Sequence, residues 1–237
     1  MAKVDIATLD PAKTVVVATG NPHKVTEIEA ILAPLMPGAT FYALGELGDF
    51  PDPVENGDTF TQNAIIKAEA ALEQTGFAAV ADDSGLVVDA LSGEPGIMSA
   101  RWAGVHGDDQ RNNEKLMREM ENVPEEERTA RFHSSVVLIQ ADGTVICGEG
   151  DCEGMIGREP RGANGFGYDP LFWPVDTPGR TMAELEPAEK NAISHRAHAL
   201  ADLARQLAQK NLQKGQSLLQ VSGCRVDNEL RPKTWTG

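Results

Sequence analysis

The sequence predicts an α/β fold with two lobes around a cleft, and three observations predict it. Residues 14–19, TVVVAT, are a continuous β-branched run that Gly20 breaks just before a helical pattern starts. Residues 131–140, RFHSSVVLIQ, and 144–156, TVICGEGDCEGMI, flank Ala-Asp-Gly and read as a β-hairpin. Later, Ile193, Ala197, Leu200, Ala204 and Leu207 recur at helical spacing and mark one apolar face of a helix over 187–210.

The remaining elements follow in chain order. Asn21 is an N-cap residue and Pro22 suits the first helical position; Val25, Ile28, Ile31, Leu32 and Leu35 then line one side of a helix. Pro, Gly and Asp make 45–58 a loop, and Thr59 caps a second, Ala-rich helix over 60–75. Residues 78–81 form a short strand that runs into Asp82 and Asp83, and LVVDAL continues beyond a turn. The glycine-rich stretches 93–107 and 158–172 read as loops. Between them Asp108 opens a polar helix to 121, with Leu116, Met117 and Met120 on its apolar side. Residues 211–237 are polar without clear periodicity and are expected to be peripheral or disordered, leaving 1–210 as a single domain.

The net charge of −15 opposes nucleic-acid polymers and anionic membranes as partners. It leaves room for a small anionic substrate, given a local basic pocket and a divalent metal. No run of about 18 apolar residues is present, so no transmembrane helix is expected. The first residues, MAKVDIATLDPAKT, hold no apolar core of signal-peptide length, and a cytoplasmic location is expected. Cys147, Cys152 and Cys224 are odd in number and form no C-x-x-C pair, so they read as reduced and structural.

Four constellations carry chemistry. In TGNPHK (19–24), a glycine after a strand, a helix N-terminus and Lys24 together suit phosphate, although an ordinary capped helix reads the same way. Glu55, Asp82 and Asp83 supply hard oxygen donors suited to Mg²⁺, which takes one or two carboxylates and leaves its other positions to water and phosphate. A bound cation would relieve the repulsion between the adjacent carboxylates; plain turn chemistry at Asp-Asp-Ser-Gly is the other reading. If the segment is extended, Asp82 and Asp83 point to opposite faces and do different jobs. GANGFGYDPLF (162–172) either exposes Phe166 and Tyr168 to stack on a nucleobase, with Asp169 accepting from base N–H groups, or plugs the end of a sheet. EKNAISHR (189–196) places Lys190, His195 and Arg196 near the start of the last helix, as donors or as a solvated face.

Taken in order, these stretches resemble the Ham1-like family of inosine triphosphate pyrophosphatases. The matching pieces are TGNPHK, ENG-TF-NA--KA (55–68), ADDSGL, PGIMSARWAG (95–104), RTARF (128–132), REPRG, GFGYDPLF, TMAEL and EKNAISHR. The resemblance implies an elongated, two-lobed mixed-sheet α/β fold with a central substrate cleft and flanking helices, forming a homodimer. It implies Mg²⁺-dependent hydrolysis of inosine, deoxyinosine and xanthosine triphosphates to the monophosphate and pyrophosphate, which cleanses the nucleotide pool. Carried over residue by residue, it assigns phosphate contacts to Thr19, Gly20, Asn21, Pro22, His23, Lys24, Lys67 and Ser84. Glu55 and Asp83 would serve the metal, with Asp83 also the proton acceptor for the attacking water. Phe166, Gly167, Tyr168, Asp169, Lys190, His195 and Arg196 would form the base pocket. Met98 and Trp102 stand where the family commonly has tyrosines, a departure that bears on the cleft wall or the dimer contact. The competing readings are a pyrophosphatase for pyrimidine or methylated nucleotides, a non-catalytic nucleotide sensor, and an interaction protein.

Overall fold

The computed structural model describes residues 3–19 and 22–222. Its strands are β1 (Thr14–Val17), β2 (Thr40–Ala43), β3 (Ala78–Val88), β4 (Thr129–Ile139), β5 (Val145–Ile156) and β6 (Phe172–Pro174). They form one mixed sheet in the order β2-β1-β3-β4-β5-β6. β1 runs parallel to β2 and β3, and every pair from β3 to β6 is antiparallel. The helices are α1 (Pro22–Leu32), α2 (Leu44–Leu47), α3 (Phe60–Thr75), α4 (Asp109–Glu119), α5 (Pro187–Ile193) and α6 (His195–Ser222).

Alternation along the strands assigns each residue to one face of the sheet. Val15, Val17, Val80, Val136, Leu138 and Ile146 pack against α1 and α6. The intervening Val16, Ala79, Ala81, Val137 and Ile139 pack on Ala64, Ala68 and Ala71 of α3, on the opposite face. The alanines let α3 lie close to the sheet. Farther along the first face, Leu86, Val88, Phe132, Cys152 and Ile156 join Leu116 and Met120 in a separate apolar cluster. On β3 the two clusters of this face are parted by Asp82 and Ser84, on β4 by Ser134, and on β5 by Gly148 and Gly150. This polar interruption is the floor between the two lobes.

Gly148 and Gly150 seat α6. A Cβ on Gly148 would lie 2.3 Å from the Leu203 amide nitrogen, and one on Gly150 would lie 2.3 Å from that of Ala199. Helix backbone therefore rests on strand backbone, and the first turn of α6 is held over the polar floor. At the other end Arg128 is buried without a carboxylate in hydrogen-bonding range. It donates instead to the carbonyls of Met120, Ile156 and Gly157 at 2.6, 2.7 and 2.8 Å, tying α4 to the end of β5. Burial pushes its pKa below the usual guanidinium range.

The structure departs from the sequence reading in several places. Asp-Asp-Ser-Gly is not a turn but lies inside the continuous strand β3, with Asp82, Asp83 and Ser84 opposite Val136, Ser135 and Ser134. A complete antiparallel partner strand outweighs local turn preference. The short strands β2 and β6 were not foreseen. The helix expected over 187–210 is two helices, because Ser194 has extended backbone (φ −71, ψ 145). The second of them passes residue 210 and runs to Ser222. Thr59, by contrast, caps α3 as expected, its hydroxyl accepting from the Gln62 N–H at 3.1 Å. Cys147 and Cys152 are unbridged, and burial, reinforced by nearby carboxylates, pushes the Cys152 thiol up to about 12. Cys224 lies outside the described residues.

The close seat of α6 makes a direct prediction. Gly150→Ala forces helix and strand apart, with an expected loss of about 1–3 kcal/mol of stability. The midpoint of urea unfolding measures it; a midpoint matching the parent would show that α6 is not packed on β5 at this point.

Candidate active site

β1 pairs with β3 only as far as Val80, whose carbonyl also accepts from the Ala18 N–H at 2.8 Å. Beyond that point the β1 side of β3 is open, at the carboxyl end of a parallel strand, where α/β sheets commonly bind ligands. A cavity of about 990 Å³ occupies the opening, and Thr19, Glu55, Lys67, Asp82, Arg101 and His106 are among its lining residues. A smaller hollow of about 150 Å³ lies beside it, walled by Phe132, Phe166, Lys190, His195 and Arg196. Ser84, Gly167, Tyr168 and Asp169 line this smaller hollow as well. The two spaces meet at a buried ion pair. Asp82 lines the larger, Arg196 lines the smaller, and Arg196 Nε donates to Asp82 Oδ2 at 3.1 Å.

Asp83 points to the other face of β3, toward α3. Lys67 Nζ donates to its Oδ1 at 2.9 Å, and Asn63 Nδ2 donates to its Oδ2 at 3.3 Å. Asn63 and Lys67 are four apart and so share one side of the helix. The buried Asn63 also accepts from the Gly57 N–H at 2.8 Å, which folds the 55–58 turn back onto α3. Glu55 is thereby brought to the same ammonium, at 3.4 Å from Lys67 Nζ. Burial pushes the Asp83 carboxyl above the ordinary carboxylate range, although Lys67 pulls the other way. Burial also works to lower the Lys67 ammonium, but the charge and hydrogen bond of Asp83 prevail and its pKa is raised. Among the described residues, no group of three or more acidic, His or Cys side chains converges on one point. Glu55 and Asp83 nonetheless face one positive charge between them, which is the environment that a pair of oxygen ligands offers a cation.

The smaller hollow is built by loops tied to three helices. Lys190 of α5 forms an ion pair with the buried Asp169 and lies over the Phe166 ring, 4.7 Å from its centroid. Asp169 Oδ2 also accepts from the Phe166 N–H at 2.9 Å. This carboxylate is committed to holding Lys190 and the loop. Burial raises its pKa and Lys190 opposes that. Gly165 is needed beside it: its φ is +77, and a Cβ would fall 1.9 Å from Asp169 Oδ2. Helix α4 fixes the next peptide, since Gly167 N–H donates to Asp109 Oδ2 at 2.7 Å and its carbonyl accepts from Asn113 Nδ2 at 2.8 Å. The His195 ring stacks on Phe132 at 5.1 Å between centroids, with 19° between the planes. Ser194 caps α6, its hydroxyl accepting from the Ala197 N–H at 3.1 Å.

Some expectations require correction. Tyr168 is not an exposed stacking surface beside Phe166. It is buried, its hydroxyl donating to the Ser99 carbonyl at 2.9 Å, and burial raises its pKa. Phe166 alone of the two is exposed, at 62%. Neither Asp82 nor Asp83 holds a turn: Asp82 pairs with Arg196 and Asp83 with Lys67. Met98 and Trp102 line neither hollow. Trp102 is buried against Lys115, whose ammonium sits 4.3 Å from its ring centroid. Gly20 and Asn21 lie outside the described residues, as do the side chains of Pro22, His23 and Lys24. Asn63, Ser99, Asp109 and Asn113 were missed in the sequence. Asn63 alone left a signal there, in its helical spacing from Lys67.

Comparison with known proteins gives a consistent picture. The sequence profile of the Ham1 family matches residues 15–206. A dITP/XTP pyrophosphatase of Halalkalibacterium halodurans is 50% identical over 191 residues, covering 79% of this chain and 95% of that protein. A protein of the same name from Geobacillus kaustophilus is 48% identical over 194 residues, covering 82% and 94%. Among solved structures, the Ham1 protein of Staphylococcus aureus superposes with a TM-score of 0.76 at 37% identity, covering 84% of this chain and 100% of that one. A HAM1 protein from Coxiella burnetii gives 0.75 at 42% identity, covering 83% and 99%.

The seam between the hollows is open to a direct test. Arg196→Met leaves a carboxylate at Asp82 with its side chain only 4% exposed, and is expected to cost about 3 kcal/mol. Combining it with Asp82→Asn should lose less than the sum of the two single changes, measured as a double-mutant cycle in urea. Additive losses would separate the two groups energetically.

Proposed function

Because the chain belongs to the Ham1 family, we propose that it hydrolyses inosine, deoxyinosine and xanthosine triphosphates to the monophosphate and pyrophosphate. The observation that carries this reading is the junction of a small, partly aromatic hollow with a larger polar one across the Asp82–Arg196 pair. A purine fits the first and a polyphosphate chain the second. The names of the relatives, dITP/XTP pyrophosphatases, support the deoxyinosine and xanthosine substrates.

Phe166 offers its exposed ring to the base, and Lys190, His195 and Arg196 offer donors to a 6-keto oxygen. Adenine would turn its own amino hydrogens toward those donors and leave them unsatisfied, a mismatch of the kind that gives strong discrimination. Asp169 keeps Lys190 aimed into the hollow. In the larger space Lys67 stands beside Asp83 and can pass from the carboxylates to a phosphate oxygen. Asp83 accepts the proton of the water that attacks the α-phosphorus, and its burial, which raises its proton affinity, favours that role. Reaction at phosphorus asks the protein mainly for position and charge, and no covalent nucleophile is required.

The residues present fit Mg²⁺. Glu55 and Asp83 already share a cationic partner in Lys67, and two carboxylates are what this ion typically takes from a protein that also binds phosphate. When bound, Mg²⁺ would supply positive charge to the departing pyrophosphate.

The test is pyrophosphate release from inosine, xanthosine, guanosine and adenosine triphosphates, each with Mg²⁺ and in excess chelator. Turnover is expected for the inosine and xanthosine substrates and only with the metal. Asp83→Asn should keep the fold and lose roughly 10²–10⁴-fold in rate. Near-normal turnover in that variant would remove Asp83 from the proton transfer, and equal rates on adenosine triphosphate would remove the base reading.

A further inference from the structure

Three of the cations that line the two hollows are matched by carboxylates. Lys67 has Asp83 and Glu55, Lys190 has Asp169, and Arg196 has Asp82. Arg101 is the exception. It is half-buried, it lines the larger cavity, and its guanidinium makes no hydrogen bond or ion pair among the described residues. Every other arginine or lysine whose side chain is described has at least one such partner. In a chain with 36 acidic residues and a net charge of −15, an unmatched guanidinium facing a cavity is conspicuous. Its five N–H donors form a planar fork suited to phosphate oxygens.

The backbone beneath Arg101 is held firmly. The turn Gly96–Arg101 is pinned at Ser99, whose hydroxyl accepts from the Leu86 N–H at 2.9 Å and donates to the Gly96 carbonyl at 2.6 Å. The Ser99 carbonyl accepts from Tyr168, and the Ala100 carbonyl accepts from the Gly107 N–H at 2.8 Å. Ser99 and Ala100 line the smaller hollow, and Arg101, the next residue, lines the larger. Successive residues of one rigid turn thus pass from the site of the base to the site of the phosphates. Only the side chain of Arg101 is left to find a partner in the cavity.

We propose that Arg101 is a polyphosphate-binding residue, donating to the oxygens of the part of the substrate that departs as pyrophosphate. This rests on the reading of the two hollows as base and polyphosphate sites. When water adds to the α-phosphorus, the bond to the bridging oxygen breaks and its electron pair leaves with pyrophosphate. Negative charge therefore grows on the leaving group. A guanidinium already in place, with no internal ion pair to break, stabilises that charge more than the ground state and so acts on turnover as well as on binding.

The experiment compares the full chain with Arg101→Gln and Arg101→Lys. Two readouts are taken: kcat and KM on inosine triphosphate with Mg²⁺, and calorimetric affinity for inorganic tripolyphosphate and for inosine monophosphate. For Arg101→Gln, kcat/KM and tripolyphosphate affinity should each fall about 10- to 100-fold, the scale of a lost charge-assisted contact. Arg101→Lys should recover part of both losses, since it keeps the charge without the fork. Affinity for the monophosphate, together with the melting temperature, should stay close to the parent. A kcat/KM and a tripolyphosphate affinity in Arg101→Gln both within about threefold of the parent would overturn the assignment. So would an equal weakening of monophosphate and tripolyphosphate, which would mark a general distortion of the cleft. Failure of the parent to turn over any nucleoside triphosphate would instead refute the proposed function. The tripolyphosphate comparison would then still decide whether Arg101 serves a phosphate site.

Discussion

Two adjacent carboxylates on a central strand, Asp82 buried and Asp83 partly buried, are the constraint from which the rest of this site follows. The pleat sends Asp82 and Asp83 to opposite faces of the sheet, so one counter-ion cannot serve both. Each needs a cation from a different layer, and an unpaired buried carboxylate would be strongly destabilising. Arg196 comes from α6 on one face, and Lys67 from α3 on the other. The helices that sandwich the sheet are therefore bound to β3 by charge as well as by apolar contact. The same two pairs set the positions of the groups proposed to meet a ligand. Fold and site are joined at these two residues.

The two helices reach their cations by different means. α3 approaches through alanines on its buried side, and its Thr59 cap fixes the register that puts Asn63 and Lys67 against Asp83. α6 approaches through absent side chains on β5, where Gly148 and Gly150 let it rest on the strand itself. Its N-terminus is defined by Ser194, whose extended backbone separates Lys190 on α5 from His195 and Arg196 on α6. One unbroken helix would hold these three donors at fixed helical angles. The break lets Lys190 answer to Asp169 and Arg196 to Asp82, so that both ammonium and guanidinium converge on one small hollow.

Much of this was legible in the sequence, for identifiable reasons. The hairpin of β4 and β5 and the bounds of α3 are written in local chemistry: Ala-Asp-Gly at one, the Thr59 cap and Gly76 at the other. That Asp82 and Asp83 do separate jobs follows from strand alternation alone. The continuity of β3 was hidden because Asp-Asp-Ser-Gly has the composition of a turn, and only a long-range partner, β4, makes it a strand. The break at Ser194 was hidden because the apolar period of α6 runs back to Ile193 without a Gly or Pro to mark a stop. The buried setting of Tyr168 depends on a hydrogen bond to Ser99, far away in sequence. Arg101 sits in a glycine-rich stretch with no periodicity, and its lack of a partner among the described residues is a property of the folded chain only.

The balance of charge in the cleft bears on how so acidic a protein could hold a polyphosphate. At −15 the overall field repels such a ligand, so attraction has to be local. Yet Lys67, Lys190 and Arg196 are each neutralised by a carboxylate that is buried or partly buried, which keeps them aligned but cancels most of their charge at a distance. Lining cations of this kind orient a ligand better than they attract it. Among the described side chains, net positive charge in the larger cavity must then come from what is not already matched, the guanidinium of Arg101, joined by the proposed Mg²⁺ arriving with the nucleotide. The matched pairs build the site, and the unmatched charges fill it.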